Sequence, residues 1–171
     1  ELRQLYSEAL SAGIFSRSGM ITKNLYSNIT NRMCQLGEYQ WSAAFVEEWR
    51  GKVAGDPNEL YYFVNRAFVH LMFKEYEKTI EVLYNRIGLI EDIRLQAIAR
   101  THLLRAAWAL KDDQWLLSQL EAFRQFLQRS KSNVEIAIAD YLLVIEFYTK
   151  MCKARQGNPD NVKEKLQKIK T

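Results

Sequence analysis

Apolar residues return at steps of three and four along most of this chain, and the pattern is cleanest over residues 59–88. Leu60, Phe63, Val64, Ala67, Phe68, Leu71 and Met72 fall on one face of a predicted helix over 59–73. Asp56 is placed to cap that helix and Pro57 to occupy its first turn, where no backbone donor is needed. A second helix opens at Tyr76 and runs through Ile80, Leu83, Tyr84 and Ile87, with Gly88 as its stop. Only Lys74 and Glu75 separate the two, so the helices should lie as antiparallel neighbours. Ala67 and Thr79 are small where such helices must cross closely.

The flanking sequence repeats this unit more loosely. Residues 1–12 read as a short helix with Leu2, Leu5, Tyr6, Ala9 and Leu10 on one stripe, the second half of a pair whose first half lies upstream. A break over 13–19 precedes a helix over about 20–36 with Leu25, Ile29, Met33 and Leu36 inward. Gly37, Glu38 and Tyr39 turn the chain into a partner helix through Trp41, Ala44, Phe45, Trp49 and Val53. After Gly88, a helix over 91–110 carries Leu95, Ile98, Ala99, His102, Leu103, Ala106 and Leu110, and Trp115 opens its partner. Ala106 and Ser118 are the small pair expected at that crossing. A helix that follows Ser132-Asn133 and runs to about Ala154 places Ile136, Val144, Phe147, Tyr148 and Met151 inward, and a short lysine-rich helix over 160–170 ends the chain. Turn aromatics recur after 37 residues, Tyr39 to Tyr76, and again after 39, Tyr76 to Trp115. No segment alternates with period two, so the whole chain reads as helical.

Ala67, the run Tyr76-Glu77-Lys78-Thr79-Ile80 and Leu83 together resemble the tetratricopeptide repeat, with Thr79 where alanine is usual and Lys74 in place of the turn glycine. The resemblance covers roughly residues 20–129. It implies an all-α fold, a right-handed α-solenoid of antiparallel helix pairs. The pairs fall at about 20–53, 57–88, 91–130 and 133–170, a single helical-repeat domain over 1–171 that forms the C-terminal part of a longer array. In that family the first helix of each pair lines a concave groove that binds a peptide or helix. Carried over, the groove holds Asn24, Asn28, Asn31, Tyr61, Asn65, Phe68 and Arg100, with Ser27, Val64 and Leu103 beside them. Asn31, Asn65 and Arg100 match positions of the family's carboxylate clamp, but Ser27 and Leu104 stand where it needs basic residues, so too few charge-assisted bonds remain for a working clamp.

Composition narrows the functional classes. At 171 residues and 48% hydrophobic the chain is long and apolar enough for a packed core. No apolar run approaches the ~18 residues of a membrane span, and no signal segment opens the chain. Nucleophile elbow, phosphate loop, zinc-protease and dinucleotide motifs are all missing, so the chain is not expected to be an enzyme or to hold a metal or cofactor. Cys34 and Cys152 read as buried thiols of a cytoplasmic protein, and Asp112-Asp113 as a solvated turn. Trp41, Trp49, Trp108 and Trp115 read first as core residues. The net charge of +4 is concentrated at the end: residues 150–171 carry seven basic side chains against two acidic ones, leaving −1 for the rest. The basic pI therefore describes a tail, and nucleic acid is not the expected partner. The expected function is a protein–protein interaction scaffold. Two alternatives stand beside it: an RNA- or acidic-surface-associated protein acting through the basic C-terminal helix, and a regulatory domain appended to an upstream enzyme.

Overall fold

The computed structural model describes residues 1–16, 18–130 and 135–157, with side chains from residue 138 in the last segment. Among them the chain is mostly helical, with eight α-helices, α1 (Leu2–Ser11), α2 (Lys23–Gln35), α3 (Tyr39–Glu48), α4 (Leu60–Met72), α5 (Tyr76–Tyr84), α6 (Ile93–Leu110), α7 (Asp113–Arg129) and α8 (Glu135–Gly157). No described helix is long and apolar enough to cross a membrane. The lysine-rich segment over 160–170, expected as a last helix, lies outside the described residues. Two compact units divide the chain, Glu1–Ala106 and Ala107–Thr171.

A backbone repeat of 37 residues runs through α2–α7. Gly37, Lys74 and Lys111, spaced by 37, all take the left-handed conformation (φ 81, 63 and 61°) that reverses the chain between two helices. Each is followed by an acidic N-cap, Glu38, Glu75 and Asp112. Helices then start at Tyr39, Tyr76 and Asp113. The third partner helix thus opens two residues before Trp115, because the Asp112 carboxylate accepts the Trp115 amide (3.0 Å) and pulls Asp113 and Gln114 into the first turn. The spacing of 39 read from the aromatics is therefore two residues too long. It also paired the wrong small residue: Ser118 is exposed, and the position equivalent to Ser42 and Thr79 is the buried Leu116.

In the first unit, Tyr26, Ile29, Met33, Phe45, Val46, Tyr62 and Val69 share one core. Tyr26 spends its hydroxyl on the Val46 carbonyl (2.9 Å), tying α2 to α3. The α4–α5 crossing is as tight as its small residues suggest. Ala67 and Thr79 are both fully buried, and the Thr79 hydroxyl donates to the Ala67 and Glu75 carbonyls (3.3 and 3.1 Å). Ala67→Leu should therefore overpack this contact and lower the free energy of unfolding by about 1–3 kcal/mol in urea. Equal stability of variant and parent would show that the crossing has room to spare.

Several boundaries differ from the periodicity. Ile21–Thr22 and Val53–Ala54 are not helical; they pair as a two-residue parallel bridge, with the Ile21 amide also donating to the Lys52 carbonyl (2.9 Å). So α2 begins only at Lys23, capped by Thr22, and α3 ends at Glu48. Pro57 is a turn residue ahead of α4. Asp56 still caps that helix, from further away: Glu59 takes a left-handed φ of 54°, which brings the Leu60 and Tyr61 amides onto the Asp56 carboxylate (2.9 and 2.8 Å). Gly88 does not stop α5, which ends at Tyr84; Gly88 sits inside a 3-10 turn, Ile87–Leu89. Leu5, Leu36, Tyr84, Ile98 and Phe147 are on the apolar stripes but exposed, since each stripe is wider than the face its neighbours cover.

In the second unit, α7 buries Leu116, Leu120, Phe123 and Leu127, and Phe123 packs against Tyr141 of α8 (5.6 Å between centroids). The start of α7 and the end of α8 are joined by an ion pair. Arg155 donates from Nε to Asp113 Oδ2 (3.0 Å), its guanidinium also pairs with Oδ1, and it lies 3.9 Å from the centre of the Trp108 ring. Cys34 and Cys152 are both free and buried, and burial pushes both thiols above their usual range.

Candidate functional site

The 37-residue repeat fixes which side chains occupy equivalent places on α2, α4 and α6. Asn24, Tyr61 and Ile98 form one set, Asn28, Asn65 and His102 a second, and Asn31, Phe68 and Arg105 a third. These three sets are the side that the groove expectation selects. Arg100 is not among them: it occupies the place of Tyr26 and Phe63, on another face of the helix. The cation that belongs to the selected side is Arg105, which the spacing of 39 concealed.

Exposure differs sharply along this side. Asn24 and Asn28 are exposed and Asn31 is half-buried. On α4 no residue is exposed at all. Asn65 is buried, and its amide nitrogen is spent on the Ser27 hydroxyl (3.0 Å) and the Tyr61 carbonyl (2.8 Å), so it staples α4 to α2. Phe68 is buried and stacks on the His102 ring (5.1 Å, 25°), closing α4 against α6. A buried imidazole resists charging, and the neighbouring Arg105 adds repulsion, so His102 is pushed down to about 3. The middle of the expected groove is therefore filled by the chain itself at Asn65 and Phe68, which leaves the exposed Asn24, Asn28 and Ile98 and the half-buried Tyr61 and Arg105 on this side.

Tyr61 leads to an open cleft. Its hydroxyl donates to Asp92 Oδ2 (2.9 Å), and the Lys23 ammonium sits 5.2 Å from its ring centre. Burial, followed by the bond to Asp92, holds the phenol above its usual range. For Asp92 burial acts upward, but the Leu95 amide, the Tyr61 hydroxyl and the Arg94 amide outweigh it and keep the carboxyl below its usual range. Around this trio a cleft of about 410 Å³ is walled by residues 55–58, Leu60, Leu95 and the 89–92 link. A second cleft of about 560 Å³ adjoins it, sharing Asn58, Leu60, Leu89 and Glu91 and adding Phe63 and Arg86. Between them stands Leu89, 65% exposed because the 3-10 turn carries it outward. Gly88 was read only as a helix stop, so this lip was not legible in the sequence.

His70 bonds Glu75 (2.6 Å) beside Arg66 and Glu47, but Glu75 is shared with Lys78 and Glu47 with Tyr62 and Arg66, so the group neutralises itself. No group of three metal-binding side chains occurs among the described residues. Comparison of the chain with protein-family models, with curated proteins and with solved structures finds no match.

Proposed function

We propose that this chain is a protein-interaction scaffold of the tetratricopeptide-repeat type, built of antiparallel helix pairs stacked as a right-handed solenoid. Its ligand is a peptide or helix held along α2, α4 and α6 and anchored at the Tyr61 cleft. The observation that carries the reading is the exposed Leu89 standing over a cleft whose floor is apolar (Leu60, Ile90, Leu95) and whose rim carries Asn58, Glu91 and Lys23. An exposed aliphatic lip over an apolar floor gives a partner's side chain somewhere to bury, and amides and charges at the rim give its backbone partners. Asn24 and Asn28 continue that polar rim along α2.

The test is selection of binding peptides from a random display library on the full chain, followed by measurement on two variants. Leu89→Ser and Asn28→Ala both change exposed side chains, so the helical signal should be unchanged while selected peptides bind about tenfold more weakly to Leu89→Ser. Peptides that bind both variants as well as the parent, or that are lost only when residues 158–171 are removed, would move the contact away from this cleft.

A further inference from the structure

We propose that the cleft between α1 and α3 is a second binding site, which takes an arginine side chain presented by a partner polypeptide. The cleft holds about 170 Å³ and is lined by Ser7, Leu10 and Ser11 of α1 and by Trp41, Ala44, Phe45, Glu48 and Trp49 from α3 and its C-terminus. Its size suits one side chain and not a secondary-structure element. It shares no residue with the Tyr61 cleft.

Three features select the occupant. Trp41, Phe45 and Trp49 follow one another at every fourth residue, so their rings make a continuous ridge along α3, half-buried at Trp41 and buried at Phe45 and Trp49; Trp41 lies parallel to Phe45 (5.3 Å, 6°) and Phe45 meets Trp49 at 6.2 Å. Next to this ridge stands Glu48, exposed and without an ion-pair partner among the described residues; no basic residue lines the cleft, and the one described cation near the ridge is Lys52, whose ammonium lies 5.7 Å from the centre of the Trp49 ring. A carboxylate beside aromatic rings calls for an organic cation. The guanidinium group is planar and weakly hydrated, stacks on rings and meets a carboxylate with two parallel hydrogen bonds, which a lysine ammonium does not. The third feature is Trp49 itself. It is 93% buried, and its Nε1–H has no acceptor among the described residues, whereas the equivalent donor of Trp41 is satisfied by Ser7 Oγ (3.2 Å). A buried donor left without an acceptor is costly, so a carbonyl delivered with the cation gains more here than at an open surface. A peptide supplies both groups at once, and a free amine supplies only one.

The experiment is a titration of the full chain with the capped tripeptide acetyl-Gly-Arg-Gly-amide, followed by indole N–H resonances in two-dimensional nuclear magnetic resonance. The Trp49 and Trp41 signals should move in a saturable way while those of Trp108 and Trp115 stay in place. Glu48→Gln, an exposed and nearly isosteric change, should weaken the interaction about tenfold with the helical signal intact. The citrulline peptide, the same shape without the charge, should bind at least tenfold more weakly, as should the lysine peptide. Equal binding of the citrulline or lysine peptide, an unchanged affinity in Glu48→Gln, or absence of a saturable shift at Trp49 would each overturn the proposal. Leu89→Ser should leave this titration unaltered, so the two sites fail or stand separately.

Discussion

Stability should fall steeply as the medium is acidified from about pH 6, earlier than carboxylate protonation explains, and His102 should be the cause. Its imidazole is buried against Phe68, with Nδ1 lacking a partner and Arg105 nearby. In the unfolded chain it takes up a proton near pH 6.5, and in the folded chain only near pH 3. Between those values the unfolded state binds one proton more than the folded state, so protons favour unfolding. Each unit of pH lost inside that window should remove about 1.4 kcal/mol at most, and the effect saturates below it. His102→Phe keeps a ring against Phe68 and removes the titration. Urea unfolding measured at intervals from pH 7 to pH 4.5 should then give a flat line for the variant and a falling one for the parent. Parallel lines would mean that His102 is hydrated or partnered in solution. Asp92 and Glu75, whose carboxyls are held below their usual range, lose their contributions as pH falls through their folded values and so act at the acid end, below the range compared.

The second large effect is expected at Asp113–Arg155. Asp113→Asn should destabilise the second unit by about 2–4 kcal/mol, somewhat below the range for wholly buried pairs because both side chains keep about a fifth to a quarter of their exposure. The guanidinium would then stay packed on Trp108 without its counter-charge. Removing both charges, as in Asp113→Leu with Arg155→Met, should cost less than Asp113→Asn alone, because no uncompensated charge is left behind. Denaturant melts of the parent, Asp113→Leu, Arg155→Met and the double variant, beside Asp113→Asn, check this, and a double variant that loses the sum of the effects of Asp113→Leu and Arg155→Met would show that the pair is no more than two independent surface charges.

Both effects come from residues whose meaning was only half legible. The amphipathic stripe of α4, the short link at Lys74 and the small pair Ala67 and Thr79 were readable because a helix period of 3.6 leaves a repeated mark on the sequence. The parallel bridge left none, since two residues are too few to show alternation. The spacing of the turn aromatics misled because a tryptophan can sit two residues further into a helix and still pack at its start, whereas the left-handed turn residues cannot shift. A spacing of 39 makes Arg100 the equivalent of Tyr61, where the spacing of 37 makes it Ile98. Asn65 and Phe68 share one side of α4, but a residue's face says nothing of whether a neighbouring helix already covers it, and both are buried. Asp113, read as part of a solvated turn, gave no hint of Arg155, 42 residues away.

The bridge between Ile21–Thr22 and Val53–Ala54 changes how the first unit can come apart. Stacked helix pairs make mostly near-neighbour contacts and can peel from an end one helix at a time. Here the stretch before α2 is sewn to the stretch after α3, so the chain from Ile21 to Val53 forms a closed ring. A motor or protease pulling from the side of α1 would unwind that helix and then meet the clasp. Its parallel strands would share the load across their bonds, and α2 could not leave without α3. The ring makes these two helices one mechanical step, placed directly ahead of the cleft at Tyr61.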